Sequence, residues 1–260
     1  MITKVVVGGA TGKLGRIVCD MIAESEDLRL TGATVSENGG NIGREIAGGV
    51  VASGPVTLKN LLKDADVYVD LTTPSAAGAA VASVPETGAN IVLGTTSVDA
   101  AAMASMTAAV ERYGTSAVVS SNFSVGINMF WSVCEMLARH LPDQDMEIIE
   151  AHHSSKKDSP SGTAKETLRR LQAITGAEHV SYGRECTTGS RKKEIGMHSI
   201  RAGNIVGDHT VLFGGDDEVL EITHRAISRN ALASGCLRTI RWVAGRKDGR
   251  VHSMNEVLGL

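Results

Sequence analysis

The sequence predicts an α/β protein of two domains, a doubly wound parallel sheet followed by an α+β domain containing a mixed sheet. Three observations point there. Short β-branched runs alternate with segments of helical periodicity from residue 4 to residue 120, the pattern of a sheet covered by helices on both faces. A glycine-spaced turn stands between the first strand and the first helix. After Asn122 the rhythm changes to a long helix followed mostly by alternating strands.

Taken in order, residues 4–7 are a β-branched run ending in Gly8-Gly9, and residues 13–24 carry Leu14, Val18, Met21 and Ile22 at helical spacing. Residues 28–34 read as a strand, 36–54 as an irregular glycine-rich segment, 56–62 as a helix and 67–71 as a buried strand. An alanine-rich helix over 75–87, a strand over 90–93, a helix over 99–113 and a strand over 116–120 continue the alternation. Beyond it come a long helix at 126–141, a strand at 146–152, a polar loop at 154–161 and a helix at 164–175. Strands are expected at 196–201, 209–213 and 219–224, with turn signals at Gly207-Asp208 and Gly214-Gly215-Asp216-Asp217. A last helix, 230–244, has Leu232, Cys236, Ile240 and Val243 on one stripe. The expected division is 1–121 as a first domain carrying the glycine turn, 122–229 as a second domain, and 230–260 packing back on the first.

Charge and composition exclude several function classes. The chain of 260 residues has 26 Lys+Arg against 29 Asp+Glu, a net charge of −3, with no long run of one sign. That leaves no electrostatic footprint for nucleic acid or an anionic membrane surface. Cys19, Cys134, Cys186 and Cys236 form no CxxC pair, so neither a zinc ribbon nor a disulfide framework is indicated and a reducing compartment fits. No apolar stretch approaches the roughly 18 residues of a membrane span, and Met1-Ile2-Thr3-Lys4 runs into a strand pattern instead of a signal peptide, so a cytoplasmic location is expected. Glycine is abundant (29) and aromatics scarce (3%), which favours ligand contact through backbone.

The turn Gly9-Ala10-Thr11-Gly12-Lys13-Leu14-Gly15 is a variant of the dinucleotide fingerprint and makes the first domain Rossmann-like. Its first glycine permits the tight turn, the second lets backbone N–H groups reach a pyrophosphate, and the third lets helix and strand pack closely. The acidic ribose-binding residue expected about 20 residues on falls at Ser36, with Glu37 beside it. Glu37 would hydrogen-bond a free 2′-hydroxyl and repel a 2′-phosphate, whereas Lys13 would attract one. A solvated loop charge is an equal reading of Glu37, and NADH and NADPH both stay open.

The most specific stretch is Glu147-Ile148-Ile149-Glu150-Ala151-His152-His153-Ser154-Ser155-Lys156-Lys157-Asp158-Ser159-Pro160-Ser161-Gly162-Thr163-Ala164. A strand delivers His152 and His153 to its C-terminal end, a lysine-bearing loop follows, and Ser161-Gly162-Thr163 opens a helix. Thr163 and Glu166 have capping-box spacing, which orients the N–H groups of that helix start toward a carboxylate. A histidine titrating near neutrality and a lysine in a partly dry pocket can donate a proton and neutralise developing negative charge, which suits acid-assisted reduction. A metal is disfavoured, because adjacent strand residues point to opposite faces and His152 and His153 do not readily chelate one ion.

This segment closely resembles the signature of the dihydrodipicolinate reductase family, also called 4-hydroxy-tetrahydrodipicolinate reductase, of lysine and diaminopimelate biosynthesis. The turn Gly9 to Gly15, the block Asp70-Leu71-Thr72-Thr73-Pro74, Gly94-Thr95-Thr96, Ser121-Asn122-Phe123-Ser124-Val125-Gly126-Ile127-Asn128, Arg201-Ala202-Gly203-Asn204-Ile205-Val206-Gly207-Asp208-His209 and Glu221-Ile222-Thr223-His224 look like family segments in the same order. The resemblance implies NADH- or NADPH-dependent reduction of a cyclic dicarboxylate, 4-hydroxy-tetrahydrodipicolinate, with loss of water.

By the same resemblance, His152 is the proton donor or acceptor with Lys156 as its cationic partner. His153 and Lys156 hold substrate, and Ser161, Gly162 and Thr163 grip a substrate carboxylate. Thr72 meets the cofactor, Gly94, Thr95 and Thr96 lie beside the nicotinamide, and Ser121, Asn122 and Phe123 close over it. The family also implies a homotetramer built through second-domain sheets. Two positions depart from the pattern: Ser36 stands where an acidic residue is frequent, and Thr73 where arginine is frequent. Other readings are a different two-domain NAD(P)-dependent dehydrogenase, against which the His152 to Thr163 block argues, and a noncatalytic dinucleotide sensor on the same fold, against which the intact His152 and Lys156 argue.

Overall fold

In the computed structural model the described residues are 2–185 and 191–260, so Met1 and Cys186 lie outside them. The chain divides into two compact units, residues 1–124 with 232–260, and residues 125–231. The first boundary falls at 124, not 121, because Phe123 is buried in the first unit's core and a new helix begins at Val125.

The first unit is built from β1 (Thr3–Gly8), α1 (Lys13–Ala23), β2 (Leu28–Thr34), β3 (Glu45–Ala47), β4 (Val50–Ser53), α2 (Leu58–Leu61), β5 (Val67–Asp70), α3 (Pro74–Ala80), β6 (Asn90–Leu93), α4 (Ala100–Tyr113) and β7 (Ala117–Val119). The second holds α5 (Val125–His140), β8 (Asp145–His152), α6 (Gly162–Thr175), β9 (His179–Ser181), β10 (Glu194–Arg201), β11 (Gly207–Gly214) and β12 (Val219–Ala226). The chain ends with α7 (Asn230–Ala244), β13 (Val251–His252) and α8 (Met254–Leu258).

The first sheet has eight strands in the order β13-β7-β6-β5-β1-β2-β4-β3. Every pairing is parallel except β3 with β4. The chain winds outward in both directions from β1, which makes a switch point at the carboxyl ends of the strands, where open α/β sheets bind ligands. Strand alternation supplies the two layers. Val5, Val7, Val69, Val92 and Val118 meet Val18 and Ile22 of α1 and Cys236, Leu237 and Ile240 of α7 on one face. Val6, Tyr68, Ile91, Leu93 and Ala117 meet Ala77 of α3 and Met106 and Val110 of α4 on the other.

The second sheet is mixed, in the order β12-β11-β8-β10-β9, with β8, β9 and β10 parallel and β11 antiparallel to β8 and β12. One face is covered: Met146, Ile148, Ile195, Met197, Val211 and Phe213 pack on Phe130, Trp131 and Cys134 of α5 and Leu168 and Leu171 of α6.

Several expectations are corrected. The segment 36–54 contains the β3–β4 hairpin, whose two-residue turn Gly48-Gly49 has both φ angles positive (59° and 78°), the conformation such hairpins require. The helix expected over 75–87 ends at Ala80, ahead of a separate 3-10 turn over Pro85–Thr87. Gly207 and Asp208 open β11 and are not a turn. Strands β9 and β13 and helix α8 were not anticipated, being two to five residues long. Among the described residues no helix is long and apolar enough to cross a membrane.

Candidate active site

In the first unit a cleft of about 960 Å³ opens at the strand ends, lined by Gly9, Thr11 and Gly12 of the turn, Ser36 and Glu37 after β2, and Thr72 after β5. The turn is shaped by close approach. A Cβ on Gly15 would overlap the Gly9 carbonyl, and Gly9, at φ 78°, has the Leu71 carbonyl where a Cβ would stand. The Gly9 and Ala10 amides both donate to the Thr34 carbonyl at 2.9 and 3.2 Å, and the Gly12 amide donates to the Gly9 carbonyl at 2.9 Å. Those three are engaged within the protein. The first-turn amides of α1, those of Lys13, Leu14 and Gly15, have no i−4 partner within the helix and remain as donors at its N-terminus, next to Thr11 and Gly12 of the cleft lining. This donor set, with Gly12 as N-cap carrying no side chain, fits a dinucleotide pyrophosphate.

Of the other residues expected to meet a cofactor, Ala10 is fully buried in the core, Leu14 packs against it, and the Lys13 side chain is exposed outside the cleft lining. The cation that does line the cleft is Lys59, whose Nζ is 2.6 Å from Glu86. Asp70 was missed as a centre. Fully buried at the end of β5, it accepts hydrogen bonds from Tyr68 Oη at 2.9 Å, Thr72 N at 3.1 Å, Thr72 Oγ1 at 2.7 Å and Thr95 Oγ1 at 2.6 Å, so it fixes both strand-end threonines. Burial, then the Asp70 carboxylate, push the Tyr68 phenol well above its usual range, so it remains a donor. Gly94 lies against Leu71 and the Phe123 ring, each 2.7 Å from where its Cβ would stand, and Thr96 is exposed. Ser121 is exposed beside the tight turn in which the Asn122 amide donates to Ser120 Oγ at 3.2 Å and Asn122 Oδ1 accepts from Ser124 N at 2.9 Å.

The second unit gathers the histidine-lysine segment around one carboxylate. Alternation along β8 puts Glu150 and His152 on the covered face with Met146 and Ile148. Glu150 is fully buried and accepts from His152 Nδ1 at 2.5 Å, Ser161 N at 3.2 Å, and Arg201 Nη1 and Nη2 at 2.9 and 2.8 Å. Burial opposes its ionisation, but Arg201, His152 and the Ser199 hydroxyl outweigh it and bring its pKa down to about 2. The His152 pKa is lowered, chiefly by burial, with Glu150 opposing and the Lys156 and Arg201 charges adding to the depression.

His209 of β11 stands edge-on to His152, ring centroids 5.3 Å apart, with its Nε2 3.2 Å from Ser161 Oγ. Burial and the neighbouring His152 lower its pKa to about 3, so it is neutral. Ser161 Oγ accepts from Ala164 N at 3.2 Å, which makes Ser161 the cap of α6. This corrects the expected Thr163–Glu166 capping box: Glu166 instead binds Arg169 and Arg170 at 2.7 Å. The helix start nevertheless presents Gly162, which is exposed, and Thr163, which is half-buried.

Lys156 Nζ is held by Asp158 at 2.7 and 2.8 Å, so the carboxylate nearest this lysine is Asp158 and the direct partner of His152 is Glu150. His153 Nδ1 lies 2.8 Å from Ser155 Oγ, outside the buried cluster. Among the described residues no three His, Cys, Asp or Glu side chains are grouped to hold a metal ion. Arg201 and His209 stood in family-like blocks without a role; their partners Glu150 and Ser161 lie 51 and 48 residues away in sequence, beyond any local spacing rule.

Two family models match the chain, one described as dihydrodipicolinate reductase, N-terminus, over residues 3–123, the other as dihydrodipicolinate reductase, C-terminus, over 126–258. The 4-hydroxy-tetrahydrodipicolinate reductase of Methanoregula boonei is 43% identical over 257 residues, 99% of this chain and 98% of the relative. That of Methanocaldococcus jannaschii is 41% identical over 269 residues, 99% and 97% of the two chains. Among solved structures, a dipicolinate-bound dihydrodipicolinate reductase from Paenisporosarcina sp. TG-14 superposes with a TM-score of 0.82 over 97% of this chain and 98% of that one, at 24% identity, which speaks for the fold.

Proposed function

The chain belongs to the dihydrodipicolinate reductase family, and from that premise we propose that it reduces 4-hydroxy-tetrahydrodipicolinate to tetrahydrodipicolinate, with loss of water, in the diaminopimelate route to lysine. The first unit holds NADH or NADPH, with the first-turn amides of α1 on the pyrophosphate and Ser36 and Glu37 toward the ribose. The observation that carries the reading is the second unit's cluster, a buried histidine on a carboxylate beside a helix start and a lysine, on a chain 43% identical to a named reductase.

The chemistry follows from the residues. The substrate is a dianion, and Lys156, His153, Ser161 and the Gly162 and Thr163 amides supply charge and donors for its carboxylates. The bound nicotinamide nucleotide supplies the hydride. Hydride addition to the conjugated ring left after water departs pushes an electron pair toward the ring nitrogen, and a proton added at ring carbon completes the reduction. His152 supplies that proton from Nε2. Lys156 offsets the negative charge that builds on the ring and carboxylates as the hydride adds. The enzyme works in the cytoplasm as a homotetramer; the supporting feature is the edge strand β12, where Val219 and Leu220 are exposed. Sedimentation equilibrium tests that assembly.

His152→Gln removes the acid, so kcat should fall by about 10² or more, the usual worth of a positioned acid, with nucleotide affinity by fluorescence titration unchanged. Near-normal kcat in that variant would move the chemistry to another residue.

A further inference from the structure

We propose that Glu150 is a positioning residue that fixes the His152 ring with its hydrogen on Nδ1 and Nε2 facing substrate, and that the same carboxylate locks the start of α6. The proposal rests on the reading of His152 as the proton donor. Glu150 is wholly buried, and four donors converge on its two oxygens. Oε2 receives His152 Nδ1 and Arg201 Nη1, while Oε1 receives Ser161 N and Arg201 Nη2. An ionised carboxylate only accepts, so Nδ1 must carry hydrogen in both charge states of the ring, and Nε2 is the nitrogen that gains and loses the proton.

Two further contacts support this geometry. Gly207 sits over Nε2, where a Cβ would stand 3.1 Å from that atom, so the absence of a side chain keeps it open. Arg201 Nη2 also donates to the Asp158 carbonyl at 2.6 Å, which ties the lysine-bearing loop to the same carboxylate. One buried anion thus connects the proton donor, the helix start and the loop carrying Lys156. The charged and titratable groups around His152 are Glu150 on its own strand, Lys156 and Asp158 in the loop, Arg201 on β10, and His209 on β11 with His224 beyond it on β12.

Glu150→Gln keeps the shape but offers one acceptor oxygen and one NH₂ group. If the amide turns its NH₂ to Nδ1, the ring becomes the opposite tautomer; in either orientation the negative charge that favours the imidazolium is gone. The expected result is a kcat loss of about 10² or more, with the limb of the pH–rate profile governed by His152 moved to lower pH and nucleotide affinity unchanged. A loss of activity with the limb in place would assign Glu150 a merely structural role and overturn the proposal. Because the variant leaves Arg201 without its counter-charge and can fail to fold, the second measurement uses the unaltered protein. Its histidine side-chain ¹⁵N spectrum, with His152 assigned by loss of its signals in His152→Gln, should show the neutral ring as the Nδ1–H tautomer. An Nε2–H tautomer with bare Nδ1 would refute the proposal while leaving His152 as donor untouched; a fully active His152→Gln enzyme would refute the donor reading itself.

Discussion

His209 contributes a definable part of the acid sensitivity of this protein. Ser161 Oγ, which accepts the α6 cap bond, also lies 3.2 Å from His209 Nε2, and the buried ring is neutral. Burial first, then His152, hold its pKa at about 3, whereas an unfolded histidine titrates near 6.5. Between those values the unfolded chain binds a proton that the native chain does not, so stability is flat above pH 6.5 and falls as pH drops toward 3. The loss is up to about 1.4 kcal/mol per pH unit. Glu150, held at about 2, adds its own loss only below about pH 4.5. The urea midpoint should therefore fall more between pH 7 and pH 5 in the unaltered protein than in His209→Gln; equal falls would mean that the native ring takes up the proton. At the other site, Glu37 is exposed and lines the cleft with Lys59, and these opposed charges should give only a modest preference between the two coenzymes. Glu37→Arg should raise the NADPH-to-NADH ratio of kcat/KM several-fold, shrinking with salt. A ratio that does not move would place Glu37 away from the ribose.

The helix α1 and its turn separate two uses of glycine. At Gly15 a Cβ would overlap the Gly9 carbonyl, whereas at Gly12 the nearest obstruction is that same carbonyl at 3.1 Å and the φ of −68° suits any residue. Gly15→Ala should thus lower the melting temperature, while Gly12→Val should keep the fold and lose at least about tenfold in nucleotide affinity, equivalent to about 1.4 kcal/mol. A Gly12→Val protein that binds nucleotide normally would show that the turn serves packing alone. Elements of this kind were legible in the sequence because strand, turn and helix announce themselves within fifteen residues, by period and by glycine position. The β3–β4 hairpin was not, although Gly48-Gly49 is a turn signal, because its strands of three and four residues are too short to show alternation. The capping-box spacing points to Thr163 because a Ser-Gly-Thr run offers two capping hydroxyls, whereas the helix begins at Gly162 and Ser161 makes the cap bond. Histidine and lysine of the site could be read from one segment; Asp70, Arg201 and His209 needed the tertiary fold.

At the scale of the whole molecule, the first unit is completed by the end of the chain. Cys236, Leu237, Ile240 and Val243 of α7 are buried in the same core as β1 and α1. At about 1.5–3 kcal/mol for a fully buried large apolar side chain, that stripe approaches the whole net stability of a domain. A chain ending at residue 231 should therefore fail to give a folded first unit, seen as loss of dispersed methyl signals from Val5, Val7 and Val18 and of cooperative melting. A truncated protein that melts cooperatively and binds nucleotide would contradict that account of the core. The central claim concerns the reaction, and its most direct measurement is absorbance at the reduced-nicotinamide band with substrate generated in place by a condensing enzyme. The account predicts substrate-dependent oxidation of NADH and of NADPH, one equivalent per tetrahydrodipicolinate formed; folded protein that binds nucleotide but oxidises neither coenzyme with this substrate would contradict it.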